Sequence, residues 1–350
     1  MRPFLKRTVR SRALSALCSG VVASVVLLAS SAVAAPEPPG SQRVGTIRLP
    51  PEVKTAIDRG LESLAQSQDP REGCFGMSGH PVADTSVGLM AFLLQGHVPG
   101  RGKYGEVMDK AVAYLLKVYK INGKTGYLGV GNMYEHGLST LALSEVWGQS
   151  KNPEIREALI KAVDVILRAQ SKNGGWRYSP KPGDHDISVT VMQVVALNSA
   201  KEAGVAVPDA SLKKAVQYAR SCFHHDSGGF NYQPGSGGPK LPRSAGGVMA
   251  LIMAGARDSR EVIRGIEYLR SKSQSFASAP GDRLMYYAHY YAMQAMYQMG
   301  DRYFKMWYDI VAPAMLAAQR PNGAWGDGYV TGTAILVLGT PYRYLPIYQR

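Results

Sequence analysis

Cysteine is nearly missing from this chain, with three residues in 350, at positions 18, 74 and 222. That is too few for the dense pairing on which small secreted scaffolds depend. Acidic residues are also short, 26 against 40 lysines and arginines. Beyond residue 34 no apolar run approaches the length of about 20 residues needed to cross a bilayer, so no stable transmembrane span is expected there. Tryptophan occurs only four times.

The first 34 residues account for part of the charge imbalance. Arg2, Lys6, Arg7, Arg10 and Arg12 precede an apolar stretch from Ala13 that closes on Ala32-Val33-Ala34. This is the pattern of a secretory signal with a small-residue cleavage site, and it predicts an exported protein, periplasmic or extracellular, beginning near Ala35. Retention of the segment as an anchor is the alternative. Cys18 follows Ala16-Leu17 without the small residue that lipidation requires, so a lipoprotein is not expected. Removing the segment takes away five basic and no acidic residues, leaving 35 against 26 and lowering the formal charge from +14 to +9. The remaining basic residues are scattered and form no stripe of the kind nucleic acid requires. Residues 35–51 hold five prolines and are expected to form an extended lead.

What the chain does have is repetition. Gln68-Asp69-Pro70-Arg71-Glu72-Gly73-Cys74-Phe75, Gln170-Ser171-Lys172-Asn173-Gly174-Gly175-Trp176 and Gln319-Arg320-Pro321-Asn322-Gly323-Ala324-Trp325 share one grammar of glutamine, glycine and aromatic ring. Asp226-Ser227-Gly228-Gly229-Phe230 lacks the glutamine, and Asn122-Gly123-Lys124-Thr125-Gly126-Tyr127 is a weaker copy. Ring positions 75, 127, 176 and 230 lie 52, 49 and 54 residues apart, and the 95 residues from 230 to 325 leave room for one more unit. Six units of about 50 residues signal a repeat architecture. In each, apolar spacing at helical intervals gives a charged helix, the glycine-aromatic loop, then a more apolar helix. The second helices are read as Ser86–Leu94, Gly137–Val146, Ser188–Ala200, Gly246–Ala254, Leu284–Met299 and Thr331–Leu338. Gly96, Gly148, Gly204, Gly255, Gly300 and Gly339 stand where left-handed C-terminal caps are expected. Charged-outside helices alternating with apolar ones predict an all-α fold, an α/α toroid of twelve helices over residues 52–340. Residues 341–350, with two prolines, are expected to lie extended against it. In a ring of six, Cys74 in unit one and Cys222 in unit four lie beyond bridging distance.

By this loop motif the chain resembles the prenyltransferase and squalene-cyclase repeat proteins, over about residues 52–339. The resemblance implies that Gln170, Gly174, Trp176, Gln319, Gly323 and Trp325 are scaffold. It also implies a central cavity for an isoprenoid or other lipid. Asp184-His185-Asp186 matches three positions of the cyclases' Asp-x-Asp-Asp acid, with Ile187 in place of the last. Lys240-Leu241-Pro242 matches the start of a prenyltransferase zinc repeat, but Arg243-Ser244-Ala245 supplies no ligands, and no Cys-Gly-Glu-Gln thioester occurs. No metal and no cofactor are expected.

Candidate site residues are polar groups at the starts and along one stripe of the apolar helices. Asp186, Thr190 and Gln193 fall on one helix face; Tyr287, Tyr291, Gln294 and Gln298 repeat the device, and Asp84, Glu135, His136, Asp184 and His185 stand near helix starts. The catalytic candidates are Asp186, Asp184 and Glu135; Asp84, His136, His185, Thr190, Gln193, Tyr287, Tyr291 and Gln294 are ligand-binding candidates. Against this stands a structural reading in which Asp84 and Asp186 are N-caps, the histidines are hydrogen-bonded supports, and the methionines fill gaps in the core. The favoured function is binding, with or without processing, of a hydrophobic isoprenoid-like ligand. A non-catalytic interaction scaffold and a polysaccharide hydrolase or lyase with paired carboxylates are the alternatives. The sequence leaves open a second subunit or protein partner and whether any reaction occurs.

Overall fold

In the computed structural model, the described residues are 49–342 except 77–78, 122–124 and 274–281. The expected signal segment and nearly all of the proline-rich lead and the C-terminal tail lie outside them. Only Thr340–Tyr342, a short 3-10 turn, reaches into that tail.

Among the described residues twelve helices follow one another: α1 (Pro51–Gln66), α2 (Pro81–Leu94), α3 (Gly105–Ile121), α4 (Met133–Ser150), α5 (Pro153–Ala169), α6 (Ile187–Glu202), α7 (Asp209–Ser221), α8 (Leu241–Met253), α9 (Arg260–Lys272), α10 (Arg283–Gln298), α11 (Asp301–Ala318) and α12 (Gly328–Leu338). The even helices form a closed inner ring, each packed against the next and α12 returning to α2. They are buried on nearly every side, which is why their sequences are apolar all round rather than amphipathic; in α2 every residue from Val82 to Leu94 is buried. The odd helices lie outside and bury one stripe, as α5 does with Ile155, Ala158, Leu159, Ala162, Val163 and Ile166. Among the described residues, β-structure is limited to isolated bridges such as Gln68 to Phe75 and Trp176 to Asp186, which pinch the loops shut. The α/α toroid expected from the sequence is therefore the observed fold.

The loop motif explains how the ring is assembled. In most repeats the inner helix packs mainly on the outer helix of the following repeat rather than on its own, and the glutamine is the clasp. Gln170 Nε2 donates to Gly174 O inside its own loop and to Ser211 O at the start of α7, both at 2.9 Å. Gln319 Nε2 donates to Gly323 O and, across the closure of the ring, to Ala56 O in α1, both at 2.8 Å. Glycine is required because the loop backbone touches the next outer helix: a Cβ on Gly174, at φ +93°, would stand 2.2 Å from Lys214 O. The tryptophans then plug the layer between helices, fully buried, with the Trp176 indole donating to Ile166 O at 2.7 Å and that of Trp325 to Met315 O at 2.6 Å.

Helix starts fall earlier than the apolar pattern indicates. The inner helices begin at 81, 133, 187, 241, 283 and 328, because Pro at the first turn and Asn or Asp caps belong to the helix before its apolar face begins. At the other end, Gly148 lies inside α4, and the left-handed residue is Lys151 at φ 53°. Gly339 caps α12 with φ −86°, in the right-handed region. The remaining four cap glycines have positive φ. Cys74 and Cys222 are buried and joined by no disulfide.

Candidate functional site

Five of the six inner helices point their N-terminal turns at one cavity of about 400 Å³, lined by His80, Ala83, Asn132, Tyr134, Glu135, Leu138, Ser188, Met192, Asp282, Arg283, Leu284, Tyr287 and Tyr329. Leu138, Met192 and Tyr287, the residues furthest along their helices, are buried and form the deep wall. Tyr287 crosses the ring to bring its hydroxyl within 3.4 Å of Ser188 O, and its ring packs edge-on to Tyr291 at 4.9 Å. Ionic groups are confined to the rim.

Glu135 anchors one side. Its side chain is 2 % exposed, yet every bond it makes has an identifiable partner. Oε2 accepts the amides of Val130 and Gly131 at 2.9 and 2.8 Å, and Oε1 lies 3.1 Å from Nδ1 of His80. Two backbone donors satisfy one oxygen of a buried carboxylate and fix the other on the imidazole. His80 itself is 52 % exposed and lines the cavity.

Arg283 anchors the other side. It pairs with Asp84 at 3.4 Å and with Asp327, and its guanidinium lies over the Tyr329 ring, 4.8 Å from the centroid. Asp84 is the fourth residue of α2, whose N-cap is His80, so it is not the cap that the sequence allowed. It lines a smaller neighbouring cavity of about 150 Å³ with Asp327 and Thr331. Burial and the nearby Asp327 push its carboxyl up to about 7, against the pull of Arg283.

Among the residues singled out from sequence, Glu135 and Tyr287 line the main cavity. Asp186 is the N-cap of α6: Oδ1 accepts the amides of Ser188 and Val189 at 2.8 and 2.9 Å, and Oδ2 lies 3.4 Å from Arg177 Nε. Burial raises its pKa, opposed by the Val189 amide and by Arg177. Asp184 is exposed and bound to Arg177 at 2.7 Å and to the Gln233 amide at 2.9 Å. His185 packs on Tyr218 with centroids 4.7 Å apart. Thr190 belongs to the scaffold, accepting the Trp176 amide at 3.1 Å and donating to Asp186 O at 2.6 Å. His136 is fully buried beneath Tyr127; its Nδ1 accepts the Leu128 amide at 2.8 Å and its Nε2 faces Ala162 O at 3.0 Å. The proton therefore sits on Nε2, and burial pushes the imidazole down to about 4. Gln193 donates to Met133 O at 2.8 Å. Tyr291 and Gln294 are buried along the inner face of α10, and neither amide atom of Gln294 has a hydrogen-bond partner among the described residues.

The cavity also uses His80, Tyr134, Arg283 and Tyr329, which the apolar pattern leaves outside its helices. Two signals could have found them: Pro81 as a first-turn proline places His80 at a helix entrance, and Asn132, Asp282 and Asp327 are cap residues. No group of three or more His, Cys, Asp or Glu among the described residues could hold a metal ion, and no described helix is long and apolar enough to cross a membrane.

No family profile and no curated protein matches the chain. Solved structures match its fold across most of its length. The GH76A α-1,6-mannanase of Salegentibacter sp. HEL1_6 superimposes with a TM-score of 0.61 at 10 % identity, covering 82 % of this chain and 98 % of the mannanase. The cellobiose 2-epimerase of Spirochaeta thermophila gives 0.60 at 12 % identity, covering 83 % and 96 %. The type II terpene cyclase MstE of Scytonema gives 0.55 at 13 % identity, covering 85 % and 98 %. At these identities the likeness establishes the toroid, which hosts unrelated chemistries.

Proposed function

We propose that this chain is an exported, divergent single-toroid relative of the prenyltransferase and squalene-cyclase repeat proteins. Its cavity takes an amphiphilic, isoprenoid- or lipid-like ligand, with the apolar body against Leu138, Met192 and Tyr287 and the polar head at the rim. The observation that carries this is the mostly apolar lining of the cavity and the exposed apolar side chains near it: Leu284, which lines it, is 54 % exposed, and next to lining residues Glu135 and Tyr134 stand Val130 and Tyr178, 63 % and 41 % exposed. Large apolar side chains left in water around an apolar pocket mark a binding mouth. A proton-initiated cyclisation is not part of this reading, because the Asp186 carboxyl is engaged by helix amides and Arg177 instead of lining the cavity.

A glycan is the second reading. It rests on the rings of Tyr134, Tyr287 and Tyr329 around Glu135 in one cavity, since sugars stack on such rings and glycoside cleavage uses carboxylates. One experiment separates the two. Native mass spectrometry and tryptophan or tyrosine fluorescence would be recorded with farnesol and with mannotriose, on the wild type and on Leu138→Trp, which fills the deep wall. Saturable farnesol binding lost in Leu138→Trp supports the amphiphile. Mannotriose binding without farnesol binding supports the glycan.

A further inference from the structure

The buried carboxylate on the cavity rim is built to orient a base. Glu135 Oε2 is fixed by the Val130 and Gly131 amides, so Oε1 can do little except accept from His80 Nδ1, 3.1 Å away. In a neutral imidazole one nitrogen donates and the other accepts. Holding the proton on Nδ1 therefore leaves Nε2 as a bare lone pair, on a half-exposed side chain that lines the cavity. A histidine oriented by a carboxylate at one nitrogen and open at the other is a general-base arrangement. An ion pair that merely joined repeats one and two would not need an imidazole facing an apolar pocket.

Resting on the amphiphile reading, we propose that His80 and Glu135 form a base dyad that hydrolyses an ester of an apolar acid or alcohol bound in the cavity. His80 is the catalytic residue and Glu135 the positioning residue. The reaction class follows from the chemistry of the base. An imidazole is too weak an acid to protonate an alkene, so it cannot start a terpene cyclisation, and glycoside cleavage draws its proton from a carboxylic acid. Activation of water for attack on a carboxylic ester is within its range. His80 Nε2 takes a proton from water as the water oxygen bonds to the acyl carbon. The imidazolium formed is stabilised by Glu135, and its Nε2 proton passes to the leaving oxygen as the acyl C–O bond breaks, giving acid and alcohol. Arg283 lines the same cavity, but its charge is already held by Asp84 and Asp327.

The test uses p-nitrophenyl octanoate as probe, with released p-nitrophenolate as the readout, on the full chain and two variants. His80→Asn keeps a donor for Glu135 but removes the base. Glu135→Gln keeps an acceptor for the Val130 and Gly131 amides, and its NH₂ then donates to Nδ1, which places the His80 proton on Nε2 and turns the base off. Both should lower kcat by about 100-fold, in the range for removal of a general base, with KM and melting temperature close to wild type. The ring-nitrogen NMR shifts of neutral His80 should report an Nδ1–H tautomer in the wild type and Nε2–H in Glu135→Gln. A wild-type rate equal to buffer, a His80→Asn rate equal to wild type, or an Nε2–H tautomer in the wild type overturns the dyad. Farnesol binding, measured in parallel, separates the two ideas. Binding retained without hydrolysis sinks the dyad alone, and absence of both sinks the amphiphile reading with it.

Discussion

Repeats three and six differ from repeat two in a way that shows where this toroid keeps its scaffold and where it keeps its chemistry. In three and six, a tryptophan fills the layer between helices and a glutamine clasps the next outer helix. The first buried polar residue of the inner helix is a threonine, Thr190 or Thr331, whose hydroxyl accepts the tryptophan amide at 3.1 Å in both. In repeat two the ring is Tyr127, half-buried, and the glutamine is gone. The threonine position is taken by His136, which stacks under the ring and reaches across to Ala162 O in the next outer helix. One residue earlier stands Glu135, at the position that is Val189 in α6 and Val330 in α12. Repeats three and six line up apolar side chains there. Repeats one and two place Asp84 and Glu135 there, beside His80. Repeat one keeps the clasp as well, Gln68 Nε2 donating to Gly73 O and Val107 O, so the carboxylates of the rim mark this one position and not the loss of the loop motif.

The largest expected effect tests the scaffold half of that contrast. Trp176→Ala and Trp325→Ala should each cost about 3–5 kcal/mol, as other buried large-to-small changes do, while Tyr127→Ala should cost well under that because its ring is only half-buried. Urea unfolding of the three variants would measure this, and equal losses would show that repeat two carries the same structural weight as its neighbours.

That contrast also marks what the sequence made legible. The glutamine, glycine and tryptophan spacing was enough for the repeat count, the two layers and the closed ring, because those residues are repeated and their contacts are local to one loop and one neighbouring helix. The rim was harder to read. Its residues stand at helix entrances where periodicity has not yet begun, so Arg283 and Tyr329 fall outside helices whose starts the apolar pattern places one and three residues late, and His80 falls outside one placed five residues late. His80 and Glu135 are 55 residues apart in sequence, and only ring geometry brings them together. Asp186 and Thr190 satisfied the periodicity of a polar stripe, but they are bound to helix and loop backbone instead of facing the cavity.

The next effect belongs to His136. Its imidazole is held neutral, at about 4 in the fold against about 6.5 in an unfolded chain. Below the ordinary value the unfolded state binds the extra proton, so stability is present above about pH 6.5 and is lost as pH falls toward 4, by about 3 kcal/mol in all. Replacing it with the threonine of the other repeats, His136→Thr, should lower stability at pH 7 and flatten this acid slope. Denaturation curves at pH 7 and 4.5 would decide, and an unchanged slope in the variant would assign the effect to other groups.

Asp84 has the opposite sign. Its carboxyl is pushed up to about 7 in the fold from about 3.9 when unfolded. The folded state therefore holds the extra proton, and the associated stability is full below about pH 4 and is lost as pH rises to about 7. Asp84→Asn, neutral at every pH, should be more stable than wild type at pH 8 by on the order of 4 kcal/mol and should match it near pH 4. Melting temperatures at the two pH values test this. A loss in the variant at pH 8 would mean that the Arg283 contact outweighs the cost of burying the charge.

The smallest effect separates a cap from a site. Asp186 holds the Ser188 and Val189 amides through one oxygen, and Arg177, its ionic neighbour, has a shorter partner in Asp184 at 2.7 Å. Asparagine keeps that acceptor and caps about as well, so Asp186→Asn should leave the melting temperature nearly unchanged. Asp186→Ala leaves two helix amides without an acceptor and should cost about 1 kcal/mol. Because the carboxyl is absent from the cavity lining, neither variant should lose farnesol. Loss of binding in Asp186→Asn at unchanged stability would place the acid on the ligand after all. The site would then extend to repeat three, and the contrast between repeats with valine before the threonine position and those with a carboxylate there would fail at its strongest point.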